Sequence, residues 1–74
     1  MNIFEFIDLL ADQYDSTPRE DFSPETHFKE LEDWSSLTAL SIIAMVDEEC
    51  GVSIGSDTIT SVSTIQELFD KING

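Results

Sequence analysis

Apolar residues recur along this chain at helical spacing, and no stretch alternates apolar and polar positions at the period of a strand. Ile3, Phe6, Ile7, Leu10 and Tyr14 fall on one face of a first helix, with Asn2 as its N-cap. Asp15, Ser16 and Thr17-Pro18 end it, because the residue before a proline avoids the α region. A second helix is expected from about Ser36 to Cys50, with Gly51 as a left-handed C-cap. "VSIGSD" then reads as an extended connector with Val52 and Ile54 pointing inward, and Ser56-Asp57-Thr58-Ile59 as one helical turn. The last helix is expected to open on a Ser63–Gln66 capping box and to bury Ile65, Leu68, Phe69 and Ile72. The long first connection, residues 15–33, carries Phe22, Phe28 and Leu31, with Trp34 just beyond it, all able to dock on a helical core; Ser23-Pro24-Glu25 within it is a helix-start signature, and one short turn is expected there. The pattern predicts an all-α domain spanning residues 1–74: three main helices, one or two short ones and a long first loop, without internal repeats.

The second helix has more apolar surface than a one-sided core needs. At about 100° per residue, Ala39, Ile43, Val46 and Cys50 cluster on one side with Ile42 at the edge, which is the expected core stripe. Leu37, Ser41, Ala44 and Glu48 lie opposite, flanked by Leu40 and Met45. Leu37, Leu40 and Met45 are therefore surplus. Either the long loop covers them with Phe28 or Trp34, or they form an exposed partner-binding face rimmed by Asp47 and Glu48.

Charge narrows the classes of partner. Sixteen acidic residues face three basic ones, for a net charge of −13 in 74 residues. Such a surface repels nucleic acid and anionic membranes and speeds encounter with basic protein patches, besides keeping a small domain soluble. A chain of this length has a small core and no room for a deep substrate cleft with its own catalytic shell, so it is not expected to be an enzyme. The single Cys50 cannot form an internal disulfide and, on the core stripe, reads as a small hydrophobe. Glu5 and Asp8 stand where a signal peptide would be basic, and no apolar run is long enough to span a bilayer, so a cytoplasmic monomer is expected. No phosphate-binding glycine loop, zinc spacing or calcium loop is present; Asp47-Glu48-Glu49 reads as a solvated face and His27 as a surface or packing residue.

That leaves Ser35 and Ser36 at the start of the second helix. Ordinary capping accounts for one serine there. A helix N-terminus also favours an attached anion through its free N–H groups and its dipole, so a phosphate ester would be well placed. No neighbouring residue in the sequence can deprotonate either serine, so another enzyme would have to modify it.

The stretch "WSSLTALSIIAMVDEECGVSI" resembles the second-helix region of acyl and peptidyl carrier proteins. Their hallmark is Asp-Ser-Leu at the helix start, an apolar helix ending in acids, and a short segment with an inward Ile. Phe22 to Phe28 and Glu30-Leu31 are similar to the family's loop, and Ile65-Gln66-Glu67-Leu68 to its last helix, so the resemblance spans essentially the whole chain. It implies an acyl-carrier-like bundle. It also implies 4'-phosphopantetheine on Ser36, attached by a phosphopantetheinyl transferase (holo-carrier synthase), with an acyl or aminoacyl thioester as cargo for fatty-acid or secondary-metabolite biosynthesis. Leu37, Leu40, Ser41 and Glu48 would be gripped by loading and processing enzymes that present basic patches. Ser35 stands where the family has aspartate. Thr38 and Ser41 stand where fatty-acid carriers usually place acids and, with Trp34, look more like stand-alone carriers of aminoacyl or specialised acyl groups. The alternative that Ser35 favours is an unmodified carrier-like module that binds a basic partner.

Overall fold

The computed structural model describes residues 1–74, with helices and turns and no strand. Helix α1 spans Ile3–Ala11. Asn2 caps it in a reciprocal box: its side chain accepts the Glu5 N–H at 2.9 Å, and the Glu5 carboxylate accepts the Asn2 N–H at 2.9 Å. Phe6, Ile7 and Leu10 are completely buried, and Tyr14, just past the helix, is buried with them. The expected face is the observed one.

The long connection is ordered by what it packs on. Phe22 and Phe28 are buried, and Leu31 and Trp34 are half-buried against the core. Tyr14 sets its ring edge-on to Phe22 at 5.1 Å, Phe28 sets its own edge-on to Trp34 at 5.7 Å, and the Tyr14 hydroxyl donates to the Phe28 carbonyl. Burial, then the Asp33 charge, push the Tyr14 phenol up, so it stays protonated and able to donate. The loop also finishes two helices. The Pro24 and Thr26 carbonyls accept the Gln66 and Ile65 amides at 2.9 and 3.2 Å, and the Lys29 ammonium donates to the Ile59 and Thr60 carbonyls at 2.9 and 3.2 Å. The short turn expected at Ser23-Pro24-Glu25 is present, and these bonds explain why it goes no further. Ser23-Pro24-Glu25 forms a single turn, closed by Thr26 N–H to Ser23 C=O at 3.0 Å, and no helix follows, because the Pro24 and Thr26 carbonyls are committed elsewhere. The short 3₁₀ helix lies earlier, at Arg19–Asp21, just after Pro18.

Helix α2 runs Ser36–Met45 and continues as a π-helical turn, Val46–Cys50, which Gly51 closes at φ +69°, a conformation that disfavours side chains. Its buried stripe is Thr38, Ile42, Met45 and Val46. The expected stripe was thus rotated by somewhat less than one residue's step of ~100°. Ile42 and Val46 are in the core as expected, but Ala39, Ile43 and Cys50 are only half-buried, and Met45, expected to be surplus, is 5 % exposed. The physical reason is size: burying Met45 removes more apolar area from water than burying Ala39 or Cys50. Thr38 turns inward because its hydroxyl finds partners there. Leu37 and Leu40 stay 72 % and 63 % exposed, so the long loop does not cover them. The rotation has a measurable consequence. Ile42→Ala is expected to cost about 2–5 kcal/mol and Ile43→Ala clearly less; equal losses in urea titrations of the two variants would contradict the placement.

Helix α3, Ser56–Ser61, extends the expected single turn and buries Ile59; Val52 and Ile54 pack against the core ahead of it. Helix α4, Ile65–Asn73, buries Ile65 and Leu68, with Phe69 and Ile72 half-buried; Phe69 lies 5.4 Å from Phe6. Its capping box is Thr64–Glu67, one residue beyond the expected Ser63–Gln66 pair. "STIQE" holds two overlapping boxes, and the carboxylate wins, because it accepts both the Ser63 and Thr64 amides, at 2.6 and 3.0 Å, with its charge at the positive end of the helix. α1 packs on α4 and α2, and α3 bridges α2 and α4.

Candidate functional site

Ser36 is the first residue of α2 and is exposed. The capping falls to its neighbour: Ser35 Oγ accepts the Thr38 N–H at 3.3 Å and lies 3.2 Å from Thr38 Oγ1. The two serines therefore divide the roles that the sequence left open. Ser35 is held by the helix, whereas the Ser36 hydroxyl has no hydrogen bond to the protein, and neither do the amides of Ser36 and Leu37. The Ser36 oxygen thus stands at the positive end of the helix dipole beside two unused N–H donors, where a phosphate ester is favoured.

Beside it opens a cleft of about 430 Å³ between α2 and α3, lined by Ser36, Ala39, Leu40 and Ile43 on one wall, Ile59 on the other, and Trp34 from the loop. Ile43 is half-exposed because it forms this wall. Lys29, also on the lining, holds the far wall through its bonds to the last carbonyls of α3. The cleft is mostly apolar and open, with room for a flexible arm, and lacks any base next to Ser36.

The expected partner-contact residues lie on α2 and, for Glu48, on the π-helical turn that follows it, and the structure spreads them over a ridge and its flanks. Leu37 and Leu40 stand on the ridge, and Leu40 also lines the cleft. Half-buried Ser41 and exposed Glu48 line a separate groove against Leu9 and Gln13 of the α1 region. Asp47, Glu48 and Glu49 are all exposed on the π-helical turn. Cys50 is half-buried, 3.9 Å from the Met1 sulfur, and burial followed by the Glu49 charge push its thiol up, away from reactive thiolate. His27 lies at the surface beside Glu30.

Asp33 is the residue that sequence reasoning missed. Its carboxylate accepts the Ser16 and Thr17 amides at 2.9 and 3.1 Å and both of their hydroxyls, tying the end of the α1 region to the chain just before α2. No local pattern reveals this, since the partners lie 16 and 17 positions away. The Thr17 hydroxyl, then the Ser16 amide, hold the Asp33 carboxyl well below the usual carboxylate range. Because the folded-state pKa is lowered, the clasp's stabilisation is complete above about pH 4 and is lost as pH falls toward the folded value. Glu67, held down by the Ser63 and Thr64 amides, acts in the same direction. The Tm is therefore expected to drop as pH is lowered from about 5 to about 2, and Asp33→Asn to flatten that slope. An unchanged slope in the variant, read by circular dichroism, would contradict the clasp.

No helix is long and apolar enough to cross a membrane. No curated protein and no solved structure matches the chain. A family model described as a phosphopantetheine attachment site matches residues 5–72. That match covers α1 from Glu5 onward, the loop, α2, α3 and nearly all of α4, and the chain belongs to this family of carrier domains, whose prosthetic group is 4'-phosphopantetheine.

Proposed function

We propose that residues 1–74 act as a carrier domain that holds an acyl or aminoacyl group as a thioester on a phosphopantetheine arm attached to Ser36. One observation carries the reading: an exposed, unbonded serine hydroxyl at the first position of α2, next to two unused amides and a largely apolar cleft. The residues fit the group. The free N–H groups of Ser36 and Leu37 suit a phosphodiester, and the cleft wall of Ala39, Leu40, Ile43 and Ile59 suits the aliphatic part of an arm or cargo.

When bound, the group supplies a terminal thiol that holds the cargo as a thioester. Everything else falls to the chain itself. Ser36 Oγ gives up its proton to the transferase and bonds to phosphorus as the pyrophosphate bond of coenzyme A breaks, the nucleotide half leaving with the electron pair. Since no base of this chain adjoins Ser36, the transferase must supply one. Leu37 and Leu40 offer apolar contact beside the reacting oxygen, and Glu48 with its acidic neighbours steers enzymes that carry basic patches. Glu48→Lys is expected to weaken binding to such an enzyme while leaving stability within about 0.5 kcal/mol, as for an ordinary surface change; unfolding would contradict its place on the rim. The compartment we propose is the cytoplasm.

The test of function is the intact mass of the protein from its own cell, before and after neutral hydroxylamine. We expect a phosphopantetheinylated form carrying a further mass that hydroxylamine releases as a hydroxamate, whose composition separates acyl from aminoacyl cargo. A chain that is wholly unmodified in its own cell would instead favour the interaction module.

A further inference from the structure

Behind Ser36 runs a chain of hydrogen bonds whose direction can be worked out by counting protons. Thr38 Oγ1 lies 3.3 Å from the Asp33 carbonyl oxygen, which can only accept, so the one Thr38 hydroxyl proton points there. Across the 3.2 Å between Ser35 Oγ and Thr38 Oγ1, Ser35 must then be the donor. Ser35 Oγ in turn accepts the Thr38 amide, which closes the N-cap. At its other end the same Asp33 holds Ser16 and Thr17 through its carboxylate. Thr38 is the one buried polar residue of the protein, at 7 % exposure, so this hydroxyl is shielded from competing water. The line is continuous from the end of the α1 region, through Asp33 and Thr38, to the residue that precedes Ser36.

Two of the positions at which this chain differs from the carriers it resembles, Ser35 and Thr38, are thus the two members of one hydroxyl pair. An ionised aspartate at position 35 accepts and does not donate. It would draw the Thr38 proton to itself and release the Asp33 carbonyl from the chain.

We propose that Asp33 and Thr38 are positioning residues for the modification of Ser36: together with Ser35 they lock the first turn of α2 to the long loop, so that the Ser36 hydroxyl is presented in one orientation to the transferase. This rests on the reading that Ser36 is the attachment serine. The serine at position 35 is matched to Thr38, and the pair replaces the aspartate of the motif with a neutral relay anchored on the Asp33 clasp.

The experiment measures kcat and KM for modification by a broad-specificity phosphopantetheinyl transferase with coenzyme A, alongside Tm. It compares the wild type with Thr38→Val, which removes the hydroxyl, and Thr38→Ser, which keeps it, at a temperature where all are folded. Thr38→Val is expected to lower kcat by about fivefold or more, the factor that one lost hydrogen bond typically gives. KM should stay within about twofold, because the exposed ridge is untouched, and Thr38→Ser should restore kcat. Wild-type kcat in Thr38→Val, or Thr38→Ser as slow as Thr38→Val, would overturn the proposal and leave the Ser36 reading standing. Should Thr38→Val not fold, Asp33→Ala removes all four bonds of the clasp at the other end of the same line: a lowered kcat is again expected, and an unchanged one overturns the proposal. A wild type modified at Ser35, or not modified at all, would overturn the Ser36 reading and this proposal with it.

Discussion

Ser36→Ala is expected to abolish loading altogether while leaving the fold intact. The substitution removes one exposed hydroxyl that bonds to nothing in the protein, and alanine is the better helix former at that position. The N-cap is Ser35, so the capping hydrogen bond to Thr38 survives. Stability should therefore stay within about 0.5 kcal/mol of the wild type. The chemical loss is complete, because no other oxygen occupies that point on the helix. Ser35→Ala should behave in the opposite way: it costs about 0.5–2 kcal/mol of capping and still leaves an oxygen at Ser36 to be loaded. Intact mass after incubation with coenzyme A and a transferase reads both. A mass gain in Ser36→Ala, or a folded Ser36→Ala that melts far below the wild type, would contradict the division of roles between the two serines.

The largest loss of stability is expected from Phe28→Ala. Phe28 is completely buried, sits edge-on to Trp34 at 5.7 Å, and lends its carbonyl to the Tyr14 hydroxyl. Removing a buried phenylalanine ring costs about 3–5 kcal/mol. A domain of this size is stable by about 4–11 kcal/mol in all, so the change removes about a quarter of the total or more. It also acts where function begins, since Trp34 and Asp33 follow within a few residues and lead straight into Ser35 and Ser36. The expected Tm shift is at least about 12 °C downward, from about 4 °C or more per kcal/mol for small domains. A shift of only a few degrees would show that the long loop is not part of the core.

What could be read from the sequence was what is local. Helix α1 was legible because its apolar residues repeat at helical spacing behind Asn2, a good N-cap. The aromatic residues of the first loop were legible as core because large side chains in a small domain have few other uses, and Phe22 and Phe28 are indeed buried. Ser35 and Ser36 stood out together because a helix start favours an attached anion, and only the resemblance to carriers pointed to Ser36; Leu37 and Leu40 stood out because they exceed what one helix face needs. The misreadings share a cause. On α2, angular bookkeeping favoured Ala39 and Cys50 where side-chain volume favoured Met45, and it left Thr38 off the core stripe although its hydroxyl is satisfied inside. At α4 two capping boxes overlap by one residue, and only the stronger acceptor decides between them. The π-helical turn has no signature in this sequence. The Asp33 clasp, the Lys29 bonds to α3 and the cleft beside Ser36 all join segments far apart in the chain, so they come into being only once the loop has folded over the helices.

The central claim is that Ser36 is the tether point, and the most direct measurement is to locate the modification. The apo protein is incubated with coenzyme A and a broad-specificity phosphopantetheinyl transferase, digested, and the modified peptide fragmented by mass spectrometry. The account predicts one phosphopantetheinyl group per chain, on Ser36. An adduct on Ser35, or none under conditions that modify another carrier, would contradict it.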